Sequence, residues 1–184
     1  MGRQSSEHDR ERAYRTREFD AFVAGAAGRL LHTATLLTAE TRGRNPYARD
    51  LLTASLAHTY AMWGRLRDED PYDLPRRDLA ARFARGAWRH HGGHGGVLSA
   101  LGPRERLVVV LRLYEGVAEE QVAALLGVSE ARVRAVCARS VTALREAARL
   151  GSGAAGPAGA GGTAGAAGAV AHRETGAGSA GAAA

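Results

Sequence analysis

Lysine is absent from this sequence of 184 residues, and cysteine occurs once, at Cys137. A single thiol excludes an internal disulfide framework and a zinc site built from several thiolates. It also fits a reducing compartment, so we expect a cytoplasmic protein. Cys137 falls near the apolar seam of a predicted helix, where a small hydrophobic role is favoured over a redox switch.

Long apolar runs are also missing. The longest run of large apolar side chains extends from Leu107 to Leu111, which is far too short to cross a bilayer. The chain does not open with the charged start, apolar core and cleavage site of a secretion signal. The sequence therefore predicts neither secretion nor a membrane partner.

Charge is the first positive feature. The 25 basic residues, all of them arginine, exceed the 19 acidic ones and give a formal net charge of +6. Arginine neutralises phosphate and presents a fork of donors, so nucleic acid is an admissible partner. A solvated arginine surface explains the same excess, and charge alone does not decide between the two.

Composition divides the chain into five segments. The first, with five Arg against four acids, is predicted to be a mobile arm or a frayed helix start. Two helical domains follow, joined by a linker, and the last segment is a tail in which 25 of 34 residues are Gly or Ala, so we expect it to be disordered. The predicted bounds are 1–18 for the arm, 19–90 for the first domain, 91–97 for the linker, 98–150 for the second domain and 151–184 for the tail.

The first domain shows helical periodicity and no strand-like alternation, so the predicted fold class is all-α. Asp50 is a candidate cap for a second helix, in which Leu52, Leu56, Tyr60 and Trp63 would share one face. Asp73 before Leu74 and Pro75 resembles the cap of a third helix that runs to about His90. Three such helices predict a small bundle.

The linker contains the sequence HHGGHGG, residues 90–96. Its three histidines are metal-ligand types, but neighbouring glycines leave them unpositioned, and no thiol or carboxylate is spaced to complete a tetrahedral set. We therefore interpret the segment as a flexible joint and expect no metal and no other cofactor.

The stretch EEQVAALLGVSEARVRAV, residues 119–136, fits a helix-turn-helix. Val122 and Leu126 would point inward from the first helix, Ala123 would sit at the helix crossing, and Gly127 would make a left-handed turn. After the turn, Val128 would plug the corner and Ser129 would cap a second helix that Val133 and Val136 anchor. An ordinary antiparallel helix pair is the alternative interpretation.

The predicted second helix leaves a cationic face outside the core. Short residues at the centre of this face would let the helix enter a major groove, while Arg side chains could bind guanine edges or phosphates. The predicted DNA-binding residues are Ser129, Glu130, Ala131, Arg132, Arg134, Ala135 and Arg139.

The segment from Leu98 to Leu150, with PRER before the helix-turn-helix and SVTALREAARL after it, resembles region 4 of the sigma-70 family. It is most similar to the extracytoplasmic-function (ECF) sigma factors of actinobacteria. In the first domain, DLLTASLAHTYAMW resembles the polymerase-docking segment of that family, and DPYDLPRRDLAARFARGAWRH resembles the helix that reads and opens the minus-10 element. These matches span residues 19–150 in the order of the family.

The resemblance implies a factor that recruits core RNA polymerase and has no catalytic role. The first domain would bind the polymerase clamp and melted minus-10 DNA, and the second would sit on the polymerase flap and read the minus-35 element. An anti-sigma protein is a possible partner. The implied polymerase contacts are Asp50, Leu51 and Leu52, and the implied minus-10 contacts are Arg76, Arg77, Arg82, Arg85 and Trp88.

Departures from the family pattern keep alternatives open. Thr53 and Ala54 replace a Gln and a Glu that contact polymerase, and Ala80 and Ala81 replace the pair that includes an amide for the promoter strand. A divergent relative that docks without initiating would fit these departures. A LuxR-type helix-turn-helix regulator is a second alternative, because the segment LGPRERLVVVLRLYEGVAEEQVAALLGVSEARV also resembles that family. An enzyme is disfavoured because no nucleophile elbow, phosphate-cradling loop or metal-spaced His pair occurs.

Overall fold

The computed structural model describes residues 2–66, 70–90 and 94–154, without the side chains of residues 2–6, 88, 90 and 152–154. These residues are helical and contain no β-strand, which confirms the predicted all-α fold class. Short 3-10 turns follow α2 and α3, and a π-helical segment, Val110–Tyr114, continues α4. The helices are α1 Gly2–Thr38, α2 Pro46–Met62, α3 Asp73–Gly86, α4 Pro103–Val109, α5 Glu119–Leu126 and α6 Glu130–Ala154.

The first helix begins earlier than the sequence predicted. Residues 2–18, which we expected to form a separate arm, continue α1 as one helix from Gly2. Their attachment to the fold is aromatic: the Phe19 ring lies 5.0 Å from Tyr60 and 5.2 Å from Trp63, at the end of α2. Thr16 Oγ1 adds a hydrogen bond to the Tyr60 hydroxyl at 3.2 Å. Contacts with α2 therefore support the helix close to its amino-terminal part.

The caps of α2 and α3 differ from the predicted ones. Asp50 lies inside α2, because the helix begins at Pro46. The N–H groups in the first turn of α2 are bound by Glu40, whose carboxylate accepts hydrogen bonds from Tyr47 N at 3.2 Å and from Ala48 N at 2.8 Å. Asp73 is the first residue of α3, so the capping position belongs to Tyr72, whose side chain makes no cap hydrogen bond. The Asp73 carboxylate instead pairs with Arg76 at 2.8 Å.

The buried face of α2 is also not the predicted apolar stripe. Tyr60 is 46% exposed, whereas Ala48, Ser55 and Thr59 are buried. Thr59 satisfies its hydroxyl on the Ser55 carbonyl at 2.8 Å, so a polar side chain can be buried without an open donor. These short side chains let α2 pack closely between α1 and α3.

The described part of the glycine-rich joint is bound to the first half of the chain. The N–H groups of His94 and Gly96 both donate to the Ala39 carbonyl, at 3.2 and 2.9 Å. Gly96 sits so close to this backbone that an added Cβ would lie 2.4 Å from the Glu40 carbonyl oxygen. Residues 91–93, the remainder of the predicted linker core, lie outside the described residues. The end of the joint is thus fixed in place.

One apolar core runs through both halves of the molecule. It joins Leu37 of α1 and Phe83 of α3 to Leu107 of α4, Val122 of α5 and Val133 of α6, all nearly inaccessible to solvent. Burial of such side chains is the main favourable term in folding. The two halves, which the sequence presented as separately packed, therefore share their interior in this structure.

A polar cluster lies at the same junction. The fully buried carboxylate of Glu115, which follows the π-helical segment, accepts hydrogen bonds from Thr33 of α1 and from the Tyr72 hydroxyl at 3.1 Å. Arg29 of α1 lies 3.2 Å from the same carboxylate. All three partners belong to the first half of the chain, so Glu115 connects the halves through a charge that is paired and hydrogen-bonded.

Candidate nucleic-acid interface

The turn between α5 and α6 has the geometry that the sequence predicted. Gly127 adopts φ 63° and ψ 37°, the left-handed conformation that only glycine enters without cost. Its N–H and that of Val128 donate back to the Ala124 and Ala123 carbonyls, at 3.4 and 3.1 Å. The helix thus ends with its last carbonyls satisfied, and α6 leaves in a new direction.

The two helices are held together by the predicted apolar contacts. Val122 and Val133 are buried to about 1% exposure or less, and Ala123 is buried at 6%. Leu126 and Val136 are partly buried and pack against this core. The predicted role of Val128 as a corner plug is wrong, because Val128 is 38% exposed. The left-handed turn directs its side chain toward the surface.

Ser129 begins α6 as a cap. Its Oγ accepts from Arg132 N at 3.3 Å, and its carbonyl accepts from Arg132 N and Val133 N at 3.0 and 3.1 Å. A serine cap satisfies an N–H group that the helix leaves free at this end. The start of α6, and with it the rotation of the helix about its axis, is therefore fixed.

All of the predicted recognition residues are exposed on α6. Small side chains occupy the centre of this face, while Arg134 lies on one flank and Arg132 with Arg139 on the other. The exposed set is Ser129, Glu130, Ala131, Arg132, Arg134, Ala135 and Arg139. A face of this shape and charge can lie in a major groove, with arginines reaching base edges and phosphates.

Arg134 is the recognition residue with a defined ion pair. Its Nε and Nη2 both donate to Oε2 of Glu119, the first residue of α5, at 3.1 and 2.9 Å. The hydrogen bonds from Arg134 hold the pKa of the Glu119 carboxyl below its ordinary value, although partial desolvation opposes the shift. The same bonds raise the pKa of Arg134. Both groups are charged at neutral pH.

A groove lies along the other flank of α6, beside α3. Its volume is about 470 Å³, and Ala84 of α3 faces Leu125, Val128, Arg132 and Arg139 across it. The groove is lined by apolar side chains at its base and arginines at its edge. The predicted minus-35 helix and the predicted minus-10 helix are therefore neighbours in this structure.

The predicted minus-10 residues of α3 differ in how far they are available. Arg76 is 15% exposed and lies 2.8 Å from Asp73, and Arg77, whose side chain is 58% exposed, lies 3.8 Å from the other oxygen of the same carboxylate. Arg82 pairs with Asp78 along the helix, and Arg85 is exposed near its end. The side chain of Trp88 lies outside the described residues.

The predicted polymerase contacts occupy the first half of α2. Asp50 is exposed, whereas Leu51 and Leu52 are partly buried and pack against the core. The substituted position Thr53 is exposed beside them, and Ala80 of α3 is fully buried. A buried Ala80 belongs to the core and is not available to a DNA strand.

Glu119 and Glu115 were not singled out from the sequence. Glu119 is one of two consecutive acids at the start of α5, and the sequence gives no sign of which one faces α6. The partners of Glu115 lie 43 and 82 residues away in the chain. The sequence signal for Glu115 is its position beside the apolar stretch before α5, since a carboxylate that is buried there needs a partner.

Among the described residues, no cluster of three or more His, Cys, Asp or Glu side chains could hold a metal ion. No helix in the described ranges is both long and apolar enough to span a membrane.

The fold and this interface define a helical protein whose second half carries a helix-turn-helix with an exposed cationic recognition helix. Residues 97–146 match the family described as sigma-70, region 4. The RNA polymerase sigma-E factor of Streptomyces coelicolor is 29% identical, over 70% of this chain and 85% of its own length. The namesake from Streptomyces avermitilis is 27% identical, over 70% and 84%, and that from Streptomyces antibioticus is 29% identical, over 54% and 69%. No solved structure matches the chain.

The similarity to the Streptomyces coelicolor protein covers 70% of the chain, which is more than residues 97–146, so it extends beyond the helix-turn-helix. Residues 97–146 thus carry a sigma-70 region 4, and most of the chain is similar to sigma factors of the extracytoplasmic-function, actinobacterial type. This confirms the resemblance inferred from the motifs of both halves.

Proposed function

We propose that this protein is a sigma factor that binds core RNA polymerase and directs promoter-specific initiation of transcription. The observation that carries the proposal is the region 4 helix-turn-helix, whose recognition helix is fixed at its base and presents an exposed cationic face. The protein acts by recruitment, without a catalytic residue of its own. It works where the polymerase works, in the cytoplasm.

The contacts in this proposal are divided between the halves. The minus-35 element is read by Ser129, Glu130, Ala131, Arg132, Arg134, Ala135 and Arg139. Arg85 of α3 offers an exposed cation to the melted minus-10 strand, as does Arg77, which also lies 3.8 Å from Asp73. Asp50, Leu51 and Leu52 bind the polymerase clamp. Arg76 and Arg82 join the minus-10 contacts once their intrahelical ion pairs exchange for phosphate.

The experiment is in vitro transcription from a genomic library with purified core polymerase, with and without this protein. We expect new start sites that share two hexamers upstream. Binding to core polymerase without any transcript would replace the proposal with the second candidate, a docking protein that does not initiate. The replaced polymerase-contact positions Thr53 and Ala54 and the buried Ala80 favour that candidate.

A LuxR-type regulator makes a different prediction. Such a protein binds duplex DNA tightly and specifically without polymerase. Submicromolar, salt-resistant binding of promoter DNA by the purified chain alone would therefore contradict the proposed function. An anti-sigma partner is tested separately, by copurification from cells in which the factor is inactive.

A further inference from the structure

The three arginines of the recognition helix are not equivalent. Within the part of the chain that the structure describes, no ion pair involves Arg132 or Arg139. Arg134, in contrast, is held by Glu119 through two hydrogen bonds to one carboxylate oxygen. Its side chain nevertheless remains 67% exposed. The guanidinium is thus fixed in direction without being removed from solvent.

Glu119 is itself held from behind. Its second oxygen, Oε1, lies 3.4 Å from Nη2 of Arg112, and Nη1 of Arg112 donates to the carbonyl of Val117. Glu119 is 23% exposed and Arg112 is 27% exposed, so the inner part of this chain of contacts is shielded from water. The backbone before α5 therefore positions Arg112, which positions Glu119, which positions Arg134.

The atoms used in the pair decide which edge of Arg134 remains available. Nε and Nη2 form one fork of the guanidinium, and Glu119 occupies it. The other fork, formed by Nη1 and the second hydrogen of Nη2, points away from the carboxylate. That end-on fork matches the O6 and N7 acceptors of guanine in a major groove.

An exposed ion pair of this kind contributes little to folding, because water screens it and two side chains lose freedom. Its larger effect is on recognition, since a side chain already held in its bound direction loses less freedom when it binds. Phosphate contacts tolerate a mobile cation, whereas base edges require a directed one. Arg134, which Glu119 holds in place, is therefore suited to bind a base edge, whereas Arg132 and Arg139 are suited to bind phosphates of the DNA backbone.

We propose that Glu119 is a positioning residue that directs Arg134 onto a guanine, and that this pair sets the identity of one base pair in the upstream promoter element. Arg132 and Arg139 bind phosphate and contribute to affinity at any sequence. The inference rests on the proposed function, because it assigns specificity within the same DNA-reading helix.

The test uses the full chain with core polymerase on a promoter library randomised across the upstream element. At one position of the element, the wild type is expected to prefer guanine by about tenfold, and Arg134→Ala is expected to lose this preference. Glu119→Gln is expected to relax the same position by a similar factor, and the double variant should lose no more than Arg134→Ala alone. Preferences at the other positions remain.

Glu120→Gln is the matched control. Glu120 is the next residue of α5 and is exposed, and its replacement by Gln changes the net charge by the same amount as Glu119→Gln. We expect this variant to raise binding to all sequences slightly and to keep the guanine preference. A Glu119→Gln profile identical to that of Glu120→Gln would overturn the inference.

Two further outcomes are distinguishable. If Arg134→Ala weakens binding to every promoter sequence equally and lowers its salt dependence by about one phosphate contact, Arg134 binds the DNA backbone. The inference is then wrong, while the proposed function stands. If the wild-type holoenzyme gives no transcript from any library member, the proposed function fails, and the assignment of Arg134 fails with it.

Discussion

At the residue scale, the turn of the helix-turn-helix depends on the backbone of Gly127. Its φ of 63° is unfavourable for any residue with a Cβ, although an added Cβ there would contact nothing within 4 Å. Any cost of a side chain at this position is therefore conformational and not steric, which makes the residue a clean test of the turn.

We expect Gly127→Ala to lower the free energy of unfolding by about 1 kcal/mol, because an L-residue is forced into the left-handed region. Urea denaturation followed by circular dichroism measures it. Gly86→Ala is the control, since that position is also open but lies in helical backbone. It should leave stability unchanged or raise it, and an equal loss in both variants would contradict the role of the turn.

The local features of this site could be predicted from the sequence because their causes are local. Gly127, Ser129 and the Val122–Val133 pair act within one turn or between two consecutive helices, so spacing along the chain is sufficient to find them. Val128 could not be placed in this way, since its exposure depends on the direction in which the left-handed turn sends the chain.

At the scale of elements, the joint between the halves is a structural contact as well as a connection. The N–H groups of His94 and Gly96 donate to the carbonyl of Ala39, the residue just after α1, which adopts a positive φ of 53°. Gly96 is needed for this approach, because backbone atoms of Ala39 and Glu40 fill the space of a side chain.

Gly96→Ala is expected to destabilise the protein by about 2 kcal/mol, because the backbone must move and lose its hydrogen bond. Gly43→Ala, in the neighbouring turn but with open space around its Cβ, is the control and should change stability little. Hydrogen exchange at the Gly96 amide reports the bond directly. Unchanged protection in Gly96→Ala would show that the close approach is not required.

Elements whose ends depend on distant groups were not predicted. The start of α2 is satisfied by Glu40, which lies before the helix, so the cap rule that pointed to Asp50 selected the wrong acid. The extension of α1 to Gly2 depends on aromatic contacts with the end of α2. Tertiary contacts override local propensity in both places.

At the scale of the whole molecule, the halves are joined by the shared core and by Glu115. Burial, and then the nearby charge of Glu115, raise the pKa of the Tyr72 hydroxyl from its ordinary value of 10.0. A tyrosine with a raised pKa stabilises the folded state below the unfolded value, near pH 10. This stabilisation is lost as the pH rises above it.

Tyr72→Phe should therefore have two effects. At pH 7 it removes the hydrogen bonds to Glu115 and lowers stability by about 1 to 2 kcal/mol. Above pH 10 it should lose stability with pH less steeply than the wild type, because the group that must ionise is gone. Urea midpoints from pH 7 to 11 measure both effects, with Tyr47→Phe at an exposed position as the control. Parallel curves would exclude this role of Tyr72.

The packed arrangement also constrains promoter binding. Under the proposed function, the two elements are named for positions minus 10 and minus 35, so they lie about 25 base pairs apart, or roughly 85 Å along a duplex at about 3.4 Å per base pair. In this structure α3 and α6 line one groove. Both elements can be read together only if the halves separate.

We expect fluorescence energy transfer between dyes on exposed positions of α3 and α6 to fall when core polymerase and promoter DNA are added. The free chain should show high transfer. Retention of high transfer in a complex that produces transcripts would contradict simultaneous reading of both elements. The sequence indicated two modules and a hinge, but packing between modules depends on surfaces that no single segment reveals.

The last helix offers a mechanical consequence. Because α6 runs unbroken through 25 residues, from Glu130 to Ala154, the helix is about 37 Å long. A rod of that length acts as a lever, so a tilt of about 5° would move the opposite end by about 3 Å. A molecule that binds the carboxyl-terminal end of α6 could therefore change the angle of the recognition residues at its other end without contacting a nucleotide.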